Sequence, residues 1–272
     1  MALLQVNFFS DALKRTVPIQ VILPVDKVGP DGLLPIPEKG FQTLYLLNGL
    51  FGNCTDWVSN TRVKQWAEDR NLAVVMPSGE NSFYVDQPRP GCQYGQFIGS
   101  ELVELTRRMF PLSRRREDTF IAGLSMGGFG AIRNGLVYSE TFGCIAGFSS
   151  AVHIFEVPLD YPGRTIMSED LVFGPMEEAA ASDKNPRVAL DNLLREGRPM
   201  PKLYMSCGLQ DSLLIPNRTL RDYFLDRGVS LTYVERDGIH NWDFWNDEIK
   251  AILDWLPLGD VQAGLSSGNI RV

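Results

Sequence analysis

Short runs of consecutive apolar residues alternate along the chain with stretches whose apolar side chains recur at helical spacing. Residues 3–9 and 17–23 read as two opening strands, joined through the polar turn at Ser10 and Asp11. The runs TLYLL (43–47), LAVVM (72–76), TFIA (119–122), 144–148 and 203–206 are apolar at successive positions. Strands covered on both faces of a sheet read this way. Residues 231–235 predict one further strand. Helices are predicted at 63–69, 97–109, 129–138, 218–227 and 248–256, the second from Ile98, Leu102, Leu105 and Met109 on one face.

Strand alternating with helix predicts an α/β domain with a mostly parallel central sheet and helices on both faces. A single domain is expected over residues 1–258. Two segments break the rhythm. Residues 24–39 are rich in Pro and Gly and read as a loop. Residues 152–201 mix Pro, Gly and charge, and are expected to form a small irregular insert over the site with short helices at best. The polar tail 259–272 is expected to be mobile.

Composition narrows the function. The net charge is −7 and the sequence pI about 5.0, which argues against nucleic acid as a partner. The basic cluster Arg107, Arg108, Arg114, Arg115 and Arg116 reads as a solvated helix end. No stretch approaches the roughly 20 apolar residues of a membrane span. With no secretory signal at the start, a cytoplasmic location is expected. Four scattered cysteines without a CxxC pair predict buried free thiols and no metal site.

The chemistry sits in Gly123-Leu124-Ser125-Met126-Gly127, a G-x-S-x-G pentapeptide between a predicted strand and a predicted helix. A sharp strand-to-helix turn exposes its central serine at the C-terminal edge of the sheet, with the helix N-terminus favouring developing negative charge. This predicts an α/β-hydrolase fold with Ser125 as nucleophile. Serine needs a base, and the chain has two histidines. His240 lies late, in a polar loop after the last strand, where the order Ser, acid, His places the base. His153 precedes any plausible acid and reads as a surface or rim residue without chemistry. Asp211 leaves the 203–206 strand in the loop CGLQD, on the same edge as Ser125, and is the expected acid. Asp237 and Asp243, on His240's own loop, read as solvated or structural. The backbone N–H groups of Met126 and Leu50 are the expected oxyanion donors, Leu50 from the turn Asn48-Gly49-Leu50-Phe51-Gly52. Phe51, Trp57, Tyr84 and Trp242 are candidates for the substrate pocket, whereas Trp245 reads as core.

The segments LYLLNGLFGN, VVMPSG, TFIAGLSMGGFGA, CGLQD and HNWDFW run in order, and together resemble the esterase D family of α/β-hydrolases, within it the tributyrin esterase-like short-chain esterases. The similarity extends to about Leu256. It implies Ser125, Asp211 and His240 as triad, Leu50 and Met126 as donors, short acyl esters (acetyl to butyryl, or acylated sugars) as substrates, and no cofactor. It also weakly favours a homo-oligomer. One position departs from the pattern: Asn48 stands where members commonly have His. S-formylglutathione hydrolases and antigen 85-type acyltransferases are similar as well, so a thioesterase or an acyltransferase is the alternative. A binding protein on an inactive scaffold is a further class, disfavoured by the intact Ser, Asp and His.

Overall fold

A computed structural model describes residues 1–29, 31–156 and 169–259. The chain opens with strands β1 (Ala2–Ser10) and β2 (Arg15–Leu23), followed by a small hairpin of β3 (Val28–Gly29) and β4 (Gly32–Leu33) inside the expected loop. Then come β5 (Thr43–Leu47), helices α1 (Asp56–Asn60) and α2 (Val63–Asp69), and β6 (Ala73–Pro77). Helix α3 (Tyr94–Gln96) runs through a π-helical turn (Phe97–Glu101) into α4 (Leu102–Met109). Strand β7 (Thr119–Leu124) leads directly to α5 (Met126–Val137), and β8 (Cys144–Phe148) to α6 (His153–Glu156). Helices α7 (Glu169–Phe173), α8 (Met176–Ala180) and α9 (Pro186–Arg195) precede β9 (Lys202–Gly208). Helix α10 (Leu214–Asp226), β10 (Leu231–Arg236) and α11 (Trp242–Trp255) complete the fold.

Among the described residues, eight strands form one sheet in the order β1-β2-β6-β5-β7-β8-β9-β10. The β1–β2 and β2–β6 pairs are antiparallel, and every pair from β6 to β10 is parallel. Side chains of the central strands alternate between two cores. Tyr45, Leu47, Val75 and Ile121 face the core under α4, α5, α9 and α10. Leu44, Leu46, Val74, Phe120 and Ala122 face the core under α2 and α11, with Trp66, Ile249 and Ile252. Burial on both sides is why these strands read as unbroken apolar runs. Strand order reverses at β5, with β6 on one side and β7 on the other. Open α/β sheets bind ligands in the crevice at such a point, beyond the strands' C-terminal ends.

Helix starts differ most from the sequence reading. Helix α5 begins at Met126 rather than 129, because the glycines that read as a turn lie within the helix. A Cβ on Gly128 would approach Ser150 Oγ to 2.6 Å, so the helix packs too closely there for a side chain. Helix α11 begins at Trp242 rather than 248, its start fixed by the Asn241 side chain accepting from Phe244 N–H. Helix α10 begins at Leu214 rather than 218. The irregular segment contains the ten-residue α9, N-capped by Asn185 and packed on α5 and α10, rather than short helices alone. Residues 157–168 of that segment and the tail from 260 lie outside the described residues. Four of the five cluster arginines are paired locally: Arg107 and Arg114 with Glu104, Arg115 with Glu117, and Arg116 with the Ser139 carbonyl. Among the described residues no helix is long and apolar enough to cross a membrane.

Candidate active site

Three loops meet at the C-terminal edge of the sheet. Ser125 occupies the single position between β7 and α5, with φ 52° and ψ −117°. A non-glycine residue in that region costs about 1–3 kcal/mol, and here the packing around it imposes the conformation. The flanking glycines are required for contact. A Cβ on Gly127 would sit 2.5 Å from Leu47 O and 2.6 Å from Asn48 O, and one on Gly123 would collide with the Gly127 carbonyl. Ser125 N–H donates to Phe148 O, and its carbonyl accepts from Ala151 N–H, so the turn is tied to the loop after β8.

His240 Nε2 lies 3.0 Å from Ser125 Oγ, and His240 Nδ1 lies 2.9 Å from Asp211 Oδ2. The other oxygen, Asp211 Oδ1, accepts from Leu213 N–H at 2.8 Å. Burial pushes the Asp211 carboxyl up, but its hydrogen bond and charge interaction with His240 and the Leu213 N–H outweigh this and hold it below 3.8. The structure thus joins the three side chains singled out from sequence. The loops carrying Asp211 and His240 are cross-linked: Gln210 N–H donates to Gly238 O, Gly238 N–H to Gln210 Oε1, and Leu209 N–H to Arg236 O. Asp237 and Asp243 are exposed, bonded to Gln210 and Asn241 respectively. His153 is buried at the start of α6 rather than on the surface or rim.

The turn after β5 faces Ser125 from the other side. Among the described residues the N–H groups of Leu50 and Met126 donate to no other protein group, the latter as the first residue of its helix. Asn48 explains how this turn holds without histidine. Its Nδ2 donates to Gly49 O at 2.7 Å, and its Oδ1 accepts from Gly79 N–H and Tyr84 Oη, both at 3.0 Å. Tyr84 Oη also lies 3.0 Å from Asn48 O. Phe51 N–H donates to Asn81 Oδ1 at 2.7 Å, and Cys54 N–H to Ser78 Oγ at 3.0 Å. The loop after β6 therefore braces the turn after β5, and does so in a strained form: Glu80, Asn81, Phe83 and Tyr84 all have positive φ. Sequence reasoning missed Ser78 and Asn81. The available signal was the polar run PSGENS leaving the strand beside β5 at the same edge.

A cavity of about 230 Å³ opens at Ser125 and His240, walled by Gly49, Leu50, Phe51 and Leu124. Trp242, Trp245 and Asp56 complete the wall. Phe51 and Trp242 are thus at the cavity. Trp57 and Tyr84 are not: both are buried behind the turn, Trp57 donating to Leu47 O and Tyr84 to Asn48. Their polar atoms bind main chain that a cavity-facing ring would leave unpaired. Trp245, which read as core, does both jobs, being buried while lining the cavity edge-on to His240 at 4.9 Å. Perpendicular contacts continue from Trp245 to Trp242 and from Trp242 to Trp57, each at 5.3 Å. None of the insert's described residues lines this cavity. Of the four thiols, Cys54, Cys144 and Cys207 are buried and Cys92 is half-buried, and burial raises Cys144 to about 11.

Comparison with known proteins gives the family. The family model described as "Putative esterase" matches residues 10–256. An acetyl esterase of Caldicellulosiruptor saccharolyticus is 40% identical over 261 residues, covering 94% of this chain and 98% of that protein. Two solved Staphylococcus aureus structures are 28% identical and cover 94% of this chain and 98% of their own. They are the fluorophosphonate-binding serine hydrolase FphF (TM-score 0.81) and the S-formylglutathione hydrolase FrmB (TM-score 0.79). By fold, site geometry and sequence, the chain belongs to the putative esterase family, ester hydrolases of the α/β-hydrolase fold.

Proposed function

We propose that the chain is a serine carboxylesterase acting on short-chain acyl esters through an acyl-enzyme on Ser125. The observation carrying the reading is the Asp211–His240–Ser125 hydrogen-bond chain at 2.9 and 3.0 Å, beside N–H groups of Leu50 and Met126 that donate to no protein group among the described residues. Ser125 Oγ attacks the ester carbonyl while His240 Nε2 takes its proton. Asp211 holds the imidazole with Nε2 toward the serine and stabilises the imidazolium. The N–H groups of Leu50 and Met126 receive the tetrahedral oxygen. His240 then protonates the departing alcohol, and activates the water that releases the acid.

The small cavity supports short acyl chains. Its 230 Å³ lies below the range of about 300–1,000 Å³ common for drug-sized ligands. The 40% identical relative, named an acetyl esterase, points the same way. The test is hydrolysis of p-nitrophenyl esters from acetyl to decanoyl, with Ser125→Ala as control. The expected outcome is kcat/KM highest for acetyl to butyryl, and a fall on the order of a million-fold in the variant. A variant within tenfold of the wild type would overturn the assignment.

A further inference from the structure

Asp56 places a carboxylate in the wall of the same cavity as Ser125 and His240. It is the first residue of α1, beside the oxyanion turn, and its Oδ2 lies against Gly52 so closely that a Cβ there would collide with it. Among the described residues it forms no ion pair, and no basic side chain lines the cavity other than His240. Burial pushes its carboxyl above 3.8, with the Asn53 backbone only partly offsetting this. A carboxylate in this wall acts where charge interactions are stronger than in water. The mechanism above gives it no step.

We infer that Asp56 sets the charge selectivity of the site: it excludes esters whose alcohol or thiol portion is anionic, and accepts hydrogen bonds from uncharged, hydroxyl-bearing alcohols. This rests on the short-acyl reading, because an acetyl or butyryl group has no hydrogen-bond donor. Any donor that reaches Asp56 must then come from the alcohol. A carboxylate accepts and does not donate, so it favours hydroxyls over ether or carbonyl oxygens at that point. The neighbouring rings of Trp242 and Trp245 supply apolar surface for the carbon skeleton of such an alcohol. An anionic group in its place meets a like charge, and among the described residues the wall holds no basic side chain besides His240 to offset it.

The experiment measures kcat/KM for three acetate esters: glycerol monoacetate (neutral, with hydroxyls), phenyl acetate (neutral, without hydroxyls) and acetylsalicylate (anionic). Wild-type enzyme and Asp56→Asn are compared after their melting temperatures have been checked. Two ratios in the wild type, corrected for the intrinsic alkaline hydrolysis rate of each ester, need no variant. Glycerol monoacetate should exceed phenyl acetate, and acetylsalicylate should fall at least tenfold below it. In Asp56→Asn the anionic-to-neutral ratio should rise at least tenfold, and the glycerol-to-phenyl ratio should fall severalfold. Equal changes on all three esters would mean that Asp56 only supports the turn, and would overturn the inference. So would a wild type that hydrolyses acetylsalicylate as well as phenyl acetate. Failure of the wild type on every ester would instead strike the esterase reading itself, a different result.

Discussion

The two sides of the cavity are held in different ways. On the proposed oxyanion side, the turn after β5 is fixed by buried side chains: Asn48 and Tyr84 are 1% and 0% exposed, and bond to the main chain and to each other. On the acid–base side, His240 keeps 32% of its side chain exposed, and its loop is tied to that of Asp211 through exposed Gln210 and main-chain bonds. Buried polar contacts have no water to replace them, and exposed ones do. The oxyanion side should therefore be brittle to single side-chain changes away from the chemistry. The acid–base side should be sensitive only at Asp211 and His240 themselves.

The largest effect tests the second half of that statement. Asp211→Asn keeps the shape but removes the charge that orients His240, and kcat should fall about ten-thousandfold, as in comparable triads. The same variant has a pH signature in stability. Asp211 is held below 3.8 in the folded chain, so its contribution is complete above the unfolded value and is lost as pH falls through the lower folded value. Urea unfolding of wild type between pH 6 and pH 2 should show this loss, and Asp211→Asn should show a shallower slope there. Equal slopes would mean that the carboxylate is not stabilised by its partners.

Asn48→Ala probes the oxyanion side. It removes the donor to Gly49 O and the acceptor of Gly79 N–H, leaving that buried N–H unpaired at about 1–3 kcal/mol, while the Tyr84 hydroxyl keeps only the Asn48 main-chain carbonyl. The Leu50 N–H then loses its fixed direction, and kcat should fall roughly a hundredfold, approaching the loss of a whole oxyanion donor. KM should change little, because the substrate's ground state does not need that geometry. A KM increase with unchanged kcat would place Asn48 in binding rather than in the turn.

This division also tracks what the sequence made legible. Ser125, Asp211 and His240 were readable because each follows a predicted strand in a fixed order, and parallel strands deliver their loops to one edge. Nucleophile, acid and base are roles that only a few residue types fill, and the chain has two histidines. The bracing of the turn was not read, because which polar side chains of the PSGENS run reach back to the turn after β5 is set by the positive-φ backbone of that loop, which the polar pattern alone does not give. Aromatic residues near the site in sequence were ambiguous for the same reason. Whether a ring faces the cavity or the core depends on which main-chain oxygen it reaches, Leu47 O for Trp57 and Asn48 O for Tyr84. Helix starts at Met126 and Trp242 were misread because glycines and polar residues there serve close packing and capping rather than loops.

The smallest expected effect is the sharpest check on the comparison. Gln210 bridges the acid and base loops through Gly238 N–H and Asp237, in number of bonds a match for Asn48's two accepted contacts. It is exposed, so in Gln210→Ala water takes over both partners. Main-chain bonds from Gln210 to Gly238 and from Leu209 to Arg236 remain, and Gly208 still packs on the Gly238 carbonyl. Stability should fall by less than about 1 kcal/mol, and kcat should stay within about twofold of wild type. Steady-state kinetics and urea unfolding on the same preparation check both. If Gln210→Ala instead lost as much activity as Asn48→Ala, burial would not be what separates the two sides. The position of His240 would then depend on a surface cross-link rather than on the loop backbones and the Trp245 ring behind it.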